Sequence, residues 1–105
     1  MSAFMVYVRD RILDCAEMKK YADIASTAST GHAMTPLAFY GAVETLEGLA
    51  VDGAVIIQFP SMAEARAAYH DPRYQQALKH RLKGAEYRVF ITEGLSLTAN
   101  TESTQ

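Results

Sequence analysis

An α+β fold is predicted for this chain: four segments of alternating apolar residues are interleaved with two stretches of helical spacing in the order β-α-β-β-α-β, with turn residues between the second and third strands. That order is the split βαβ, or ferredoxin-like, arrangement around a four-stranded antiparallel sheet. The 105 residues suffice for one hydrophobic core, which the pattern places over residues 1–95, with a polar, disordered tail over 96–105.

Each element has a local cause. In the first strand, residues 4–9, Phe4, Val6 and Val8 alternate with Met5, Tyr7 and Arg9. Asp14 followed by Glu17 makes a capping-box-like start to a helix whose inner stripe is Met18, Tyr21, Ile24, Ala25 and Ala28. Gly31 closes that helix, and Pro36 marks a connection because it cannot sit inside a central strand. Leu37–Leu46 reads as the second strand, with a bulge or close approach at Gly41. Glu47, Gly48 and Asp52-Gly53 are turn chemistry, so a hairpin leads into the third strand, residues 54–59.

Ser61 with Glu64 forms a second capping box. Asp71-Pro72 breaks and restarts this helix, since proline is tolerated at the first helical position. Tyr74, Ala77, Leu78, Arg81 and Leu82 carry its stripe onward, Gly84 ends it, and residues 87–92 form the fourth strand.

Composition narrows the functions available. A net charge of -2 with mixed signs calls for no polyanionic partner, and strands one and three lack the aromatic-basic stretch of RNA-recognition domains, so no nucleic acid is expected. The apolar start runs straight into Arg9, Asp10 and Arg11 and reads as a strand, not a signal peptide. No run approaches the ~20 apolar residues that cross a bilayer, so no membrane span is expected. Cys15 is the only cysteine, which forbids an intrachain disulfide and fits a cytoplasmic location. Right-handed crossovers put both helices on one face of the sheet. The opposite face of strands one, three and four is then apolar and bare, and a second copy of the chain is the expected cover.

Several spaced stretches resemble one family: Leu46-Glu47-Gly48; Phe59-Pro60-Ser61 with Glu64, Ala65 and Arg66; residues 69–75 from Tyr69 to Gln75; Arg81; and Thr92-Glu93-Gly94. Over most of residues 4–95 the chain is similar to the bacterial domain-of-unknown-function 1330 family. The resemblance implies a homodimeric α/β barrel with facing sheets and no common reaction. The chain departs from that pattern at Ala33-Met34, Thr35-Pro36 and Ala68, near where a pocket is expected.

Chemistry is sought first among the histidines, the groups that titrate near neutrality. His32, in the loop before strand two, and His70, at the helix break, are candidate acid/base residues, with Tyr40 as a hydrogen-bond donor. Arg81 is a candidate anion anchor, joined by Tyr69, Tyr74 and Arg66. The helix restart at Asp71 also offers backbone N–H groups to an anion. Against these stand plain structural roles: an exposed loop histidine, core tyrosines, Asp71 as a cap only, and Arg81 paired with a carboxylate. No histidine has metal-ligand spacing, and no GxGxxG, P-loop or nucleophile elbow is present, so neither metal nor cofactor is expected. Two functions remain open. One is a small-molecule pocket between sheet and helices, with cofactor-free acid/base chemistry on an organic acid or carbonyl compound. The other is a non-enzymatic accessory dimer without a pocket.

Overall fold

The central strand is β1 (Ala3–Ile12), which pairs antiparallel with both β3 (Gly53–Phe59) and β4 (Ala85–Glu93). With β2 (Thr35–Phe39) on the outer side of β3, the computed structural model, which describes residues 1–95, has sheet order β2-β3-β1-β4. This is the ferredoxin-like order. The predicted tail lies outside the described residues.

Side chains of β1 alternate as the sequence requires. Ala3, Met5 and Tyr7 are buried beneath the helices and join Val55, Phe59, Ala65 and Ala68 in the core. On the opposite face Val6 lies between Ile56 of β3 and Phe90 of β4, flanked along β1 by Phe4 and Val8. The bare face is therefore apolar at its centre. The fourth strand supplies less than expected, since only Phe90 is apolar there; Glu86, Arg88 and Thr92 complete its outward side, with Arg88 ion-paired to Asp10 at 2.9 Å.

The helices start where side chains can satisfy their first N–H groups. Asp14 accepts from the Ala16 and Glu17 amides at the head of α1 (Cys15–Ala28), and Ser61 accepts from Glu64 at the head of α2 (Met62–His70). Asp71 separates α2 from α3 (Pro72–Gly84), accepting from the Arg73 amide with Pro72 in the first position. One reciprocal half is missing: the Glu17 carboxylate turns to His80, 2.8 Å away, instead of back to its own cap. Leu82, assigned to the inner stripe, is 68% exposed.

The second strand is shorter and earlier than the sequence predicts. Pro36 lies within β2, where its missing N–H is harmless because β2 is an edge strand, and a register shift follows between Pro36 and Ala38. β2 stops at Phe39 because Tyr40 turns to φ 55, a left-handed conformation that breaks the extended run. β2 and β3 pair antiparallel as expected, but a long loop joins them, and the chain returns toward the sheet where Asp52 is tied to Arg9 by side chain at 2.7 Å and by main chain at 2.9 Å. Leu46 and Leu49 on this loop are 83% and 84% exposed.

α1 packs against α3 and stands off the sheet. The end of α3 is tied to the start of α1 at Gly84, whose carbonyl accepts from Leu13 and Asp14 at 2.7 and 3.0 Å. Toward the sheet α1 presents Ala22, Ala25, Ser26 and Ala28. Side chains this short do not fill the gap between helix and strands, and a cavity results.

Candidate functional site

The cavity has a volume of about 620 Å³, within the ~300–1,000 Å³ usual for small-molecule sites. Its floor is the helix-facing side of β1 and β3, through Met5, Val55, Ile57 and Phe59, and its roof is α1. Met34, Pro36 and Phe39 line its β2 side, and Phe39 is 69% exposed there. Most of the wall is apolar, and its polar groups are concentrated.

All 6 tyrosines of the chain gather here. Tyr7, Tyr21, Tyr40, Tyr69 and Tyr74 line the cavity, and Tyr87 is joined to Tyr40 by a 2.6 Å hydroxyl contact. A second pair, Tyr21 and Tyr74, has hydroxyls 2.9 Å apart. In each pair one hydroxyl donates to the other, so one hydrogen per pair is left over. Burial pushes the Tyr7 and Tyr21 hydroxyls well above the ordinary tyrosine range, and Tyr74 adds to the shift. Burial, then the bond to Tyr87, does the same for Tyr40. These three are neutral donors at physiological pH.

Behind the tyrosines lies Arg81, 3% exposed. Tyr74, Ala77 and Arg81 recur on the inner face of α3, which is how a guanidinium comes to lie in the core. It sits 4.7 Å from the Tyr87 ring centroid, 5.7 Å from Tyr21 and 5.8 Å from Tyr7. Among the described residues no carboxylate pairs with it, and its Nε is buried without a hydrogen-bond partner. Burial works against the charge, but the surrounding tyrosines outweigh it and keep the guanidinium protonated. The carboxylate partner of the plain structural alternative is not found among the described residues.

At the rim, His32 Nε2 meets Asp71 Oδ2 at 2.8 Å. Asp71 also accepts from the Arg73 amide and side chain, and Arg73 in turn donates to the Thr27, Ala28 and Thr30 carbonyls that end α1. The Arg73 side chain, then His32, holds the Asp71 carboxyl far below its usual range. An ionised carboxylate only accepts, so Nε2 of His32 carries the hydrogen and Nδ1 is the basic nitrogen.

Of the predicted site residues, His32, Tyr40, Tyr69 and Tyr74 line one cavity, with Arg81 behind it. His70 and Arg66 do not. Ala65 and Ala68 form the buried side of α2, which turns Arg66 and His70 outward, and the His70 ring lies against Tyr69, 5.2 Å between ring centroids. The expected anion site at the helix restart is closed, because Asp71 itself takes the Arg73 amide. His32 is not a free loop residue, and Asp71 is more than a cap.

Sequence reasoning missed Tyr7, Tyr21, Tyr87 and Arg9 as site residues. The signal for two of them was present: Tyr7 and Arg9 share the Met5 side of β1, and an arginine on an inward face needs a partner. Arg9 finds Asp52 and the Tyr40 ring, 4.6 Å from its centroid. Among the described residues no cluster of three or more His, Cys, Asp or Glu is placed to hold a metal ion, and no helix is long and apolar enough to cross a membrane.

Comparison with known proteins agrees with this architecture. A protein of unknown function from Rhodopseudomonas palustris, RPA0582, superposes with TM-score 0.71 at 16% identity over 90% of this chain and 83% of its own. A dimeric protein of unknown function with a ferredoxin-like fold from Bacteroides fragilis gives 0.59 at 10% identity, over 89% of this chain and 96% of its own. SnoaB, a cofactor-independent oxygenase from Streptomyces nogalater, gives 0.53 at 8% identity, over 94% and 97%. At such identities the likeness is one of fold. No curated protein matches the sequence. The profile described as domain of unknown function (DUF1330) matches residues 2–95, and with that span the chain belongs to the DUF1330 family.

Proposed function

We propose that this protein is a cytoplasmic homodimer that binds a small organic anion or carbonyl compound in the cavity between sheet and helices, and acts on it by acid/base chemistry without a cofactor. The observation that carries this reading is Arg81: a buried guanidinium with an unpartnered Nε, no carboxylate paired with it among the described residues, and a layer of tyrosine donors between it and a cavity of about 620 Å³. Burying a charge without a counter-charge costs several kcal/mol; the tyrosine ring contacts offset that cost without supplying an opposite charge, and a bound anion supplies it. His32, held by Asp71 at the rim, supplies the acid/base group. By analogy of fold, SnoaB shows that this architecture hosts cofactor-independent chemistry. Dimerisation through the apolar sheet face is supported by the row Ile56–Val6–Phe90 and by the dimeric relative from Bacteroides fragilis.

The accessory-dimer reading expects no opening of metabolite size, and the cavity weighs against it. The test is a thermal-shift screen of aromatic and aliphatic carboxylates and keto acids against wild type and Arg81→Met. A rise in Tm for wild type that vanishes in Arg81→Met supports the reading; no rise with any compound removes it.

A further inference from the structure

We infer that the cavity catalyses proton transfer at a carbon next to a carbonyl, that is, keto–enol tautomerisation of an apolar-bodied keto acid, with His32 as the base. The inference rests on the binding reading above and adds a reaction to it. Two polar groups that line one mainly apolar chamber motivate it. The first is the Tyr21–Tyr74 pair, hydroxyls 2.9 Å apart, with one hydrogen left over and Arg81 behind it. The second is His32, whose Nε2 is taken by Asp71 at 2.8 Å so that Nδ1 is the nitrogen left to act as a base.

These parts meet the needs of enolisation. The carbonyl oxygen accepts the spare tyrosine hydrogen. His32 Nδ1 takes the proton from the neighbouring carbon, the C–H electron pair becomes the C=C bond, and the carbonyl π pair moves onto oxygen as an enolate. The enolate develops its charge facing neutral donors backed by a fixed cation, the arrangement that stabilises an oxyanion. The imidazolium formed on His32 is stabilised by the ionised Asp71 carboxylate. Return of the proton to the enolate oxygen gives the enol; return to carbon regenerates the ketone. Composition is unchanged, and no oxidant or reductant enters. The Met5, Met18 and Phe59 surfaces favour an apolar body on the substrate, and the Arg81 charge favours an anionic end.

The test uses the full-length protein and follows, by proton NMR in D2O, loss of the methylene signal of phenylpyruvate, 4-hydroxyphenylpyruvate and 2-oxooctanoate. 3-Phenylpropionate, which has no exchangeable C–H, reports binding alone. Wild type is expected to accelerate exchange of at least one keto acid above buffer. His32→Gln, which still donates to Asp71 but has no base, is expected to lose 10²–10⁴-fold of that rate while binding 3-phenylpropionate as before. Asp71→Asn, a positioning change, is expected to slow exchange without weakening 3-phenylpropionate. Binding without exchange in wild type overturns the inference and leaves the binding reading standing. Exchange that persists in His32→Gln overturns the role of His32, and neither binding nor exchange overturns both readings.

Discussion

His32 Nε2 and Asp71 Oδ2 meet at 2.8 Å across 39 residues of sequence, and the same carboxylate holds Arg73, which clasps the end of α1. One ionised group thus joins the loop after α1 to the α2–α3 break. Its carboxyl lies below the ordinary range because of Arg73 first and His32 second. A folded-state pKa lower than the unfolded one means stability that is present above the unfolded value of ~3.9 and is lost as pH falls below it. Glu86, held down by Arg11, and Glu17, held down by His80, act in the same direction. Melting temperature is therefore expected to fall steeply from pH 5 to pH 3, and less steeply in Asp71→Asn, which starts lower at pH 7. Parallel Tm-versus-pH curves for the two proteins contradict this account.

The parts of this arrangement that were legible in the sequence are those set by short-range rules. The caps at Asp14, Ser61 and Asp71 and the inward side of β1 followed from residue type and period. The His32–Asp71 pair was not legible, because it depends on where a loop lands after α1 closes. β2 failed for a specific reason: the apolar alternation from Leu37 to Leu46 continues through Tyr40, but a positive φ there is invisible to periodicity. Arg81 was placed on the right face of α3, yet its lack of a carboxylate partner only the packed structure reveals.

Gly84 of α3 lies close against Met18 of α1. A Cβ added to it falls 2.9 Å from Met18 Sδ and 3.1 Å from the Met18 main-chain nitrogen. The sulfur end of Met18 can turn away; the backbone cannot, and it is pinned by the bonds from Leu13 and Asp14 to Gly84. Gly84→Ala is expected to destabilise the fold by about 1–3 kcal/mol through overpacking. Urea unfolding with an unchanged slope and a lowered midpoint is the readout; an unchanged midpoint shows that α1 shifts freely on α3.

Arg81 sets two effects of similar size against each other. Desolvation of an unpaired charge costs several kcal/mol, while three ring contacts between 4.7 and 5.8 Å return about 0.5–2 kcal/mol each. In the absence of ligand the two nearly cancel. Arg81→Met, which keeps the stem volume, is expected to hold ligand-free stability within about 1 kcal/mol of wild type. A loss of several kcal/mol, measured by denaturant unfolding, makes Arg81 a structural member of the core and removes it as an anchor for ligand.

The face opposite the helices gives the last prediction. Val6 sits between Ile56 and Phe90 in register, so its side chain marks the centre of the apolar row while the ion pair of Arg88 with Asp10 lies toward one end. In a dimer formed through this face, Val6 of each copy is driven out of water, and a charge there is buried without a partner, at a cost of several kcal/mol per ion. The same charge in a lone subunit stays in solvent and costs the fold little. Val6→Arg is therefore expected to change the mass measured by light scattering at micromolar concentration from dimer to monomer while far-ultraviolet circular dichroism is retained. Wild type that scatters as a folded monomer, or Val6→Arg that scatters as a dimer, rules out this face as the interface.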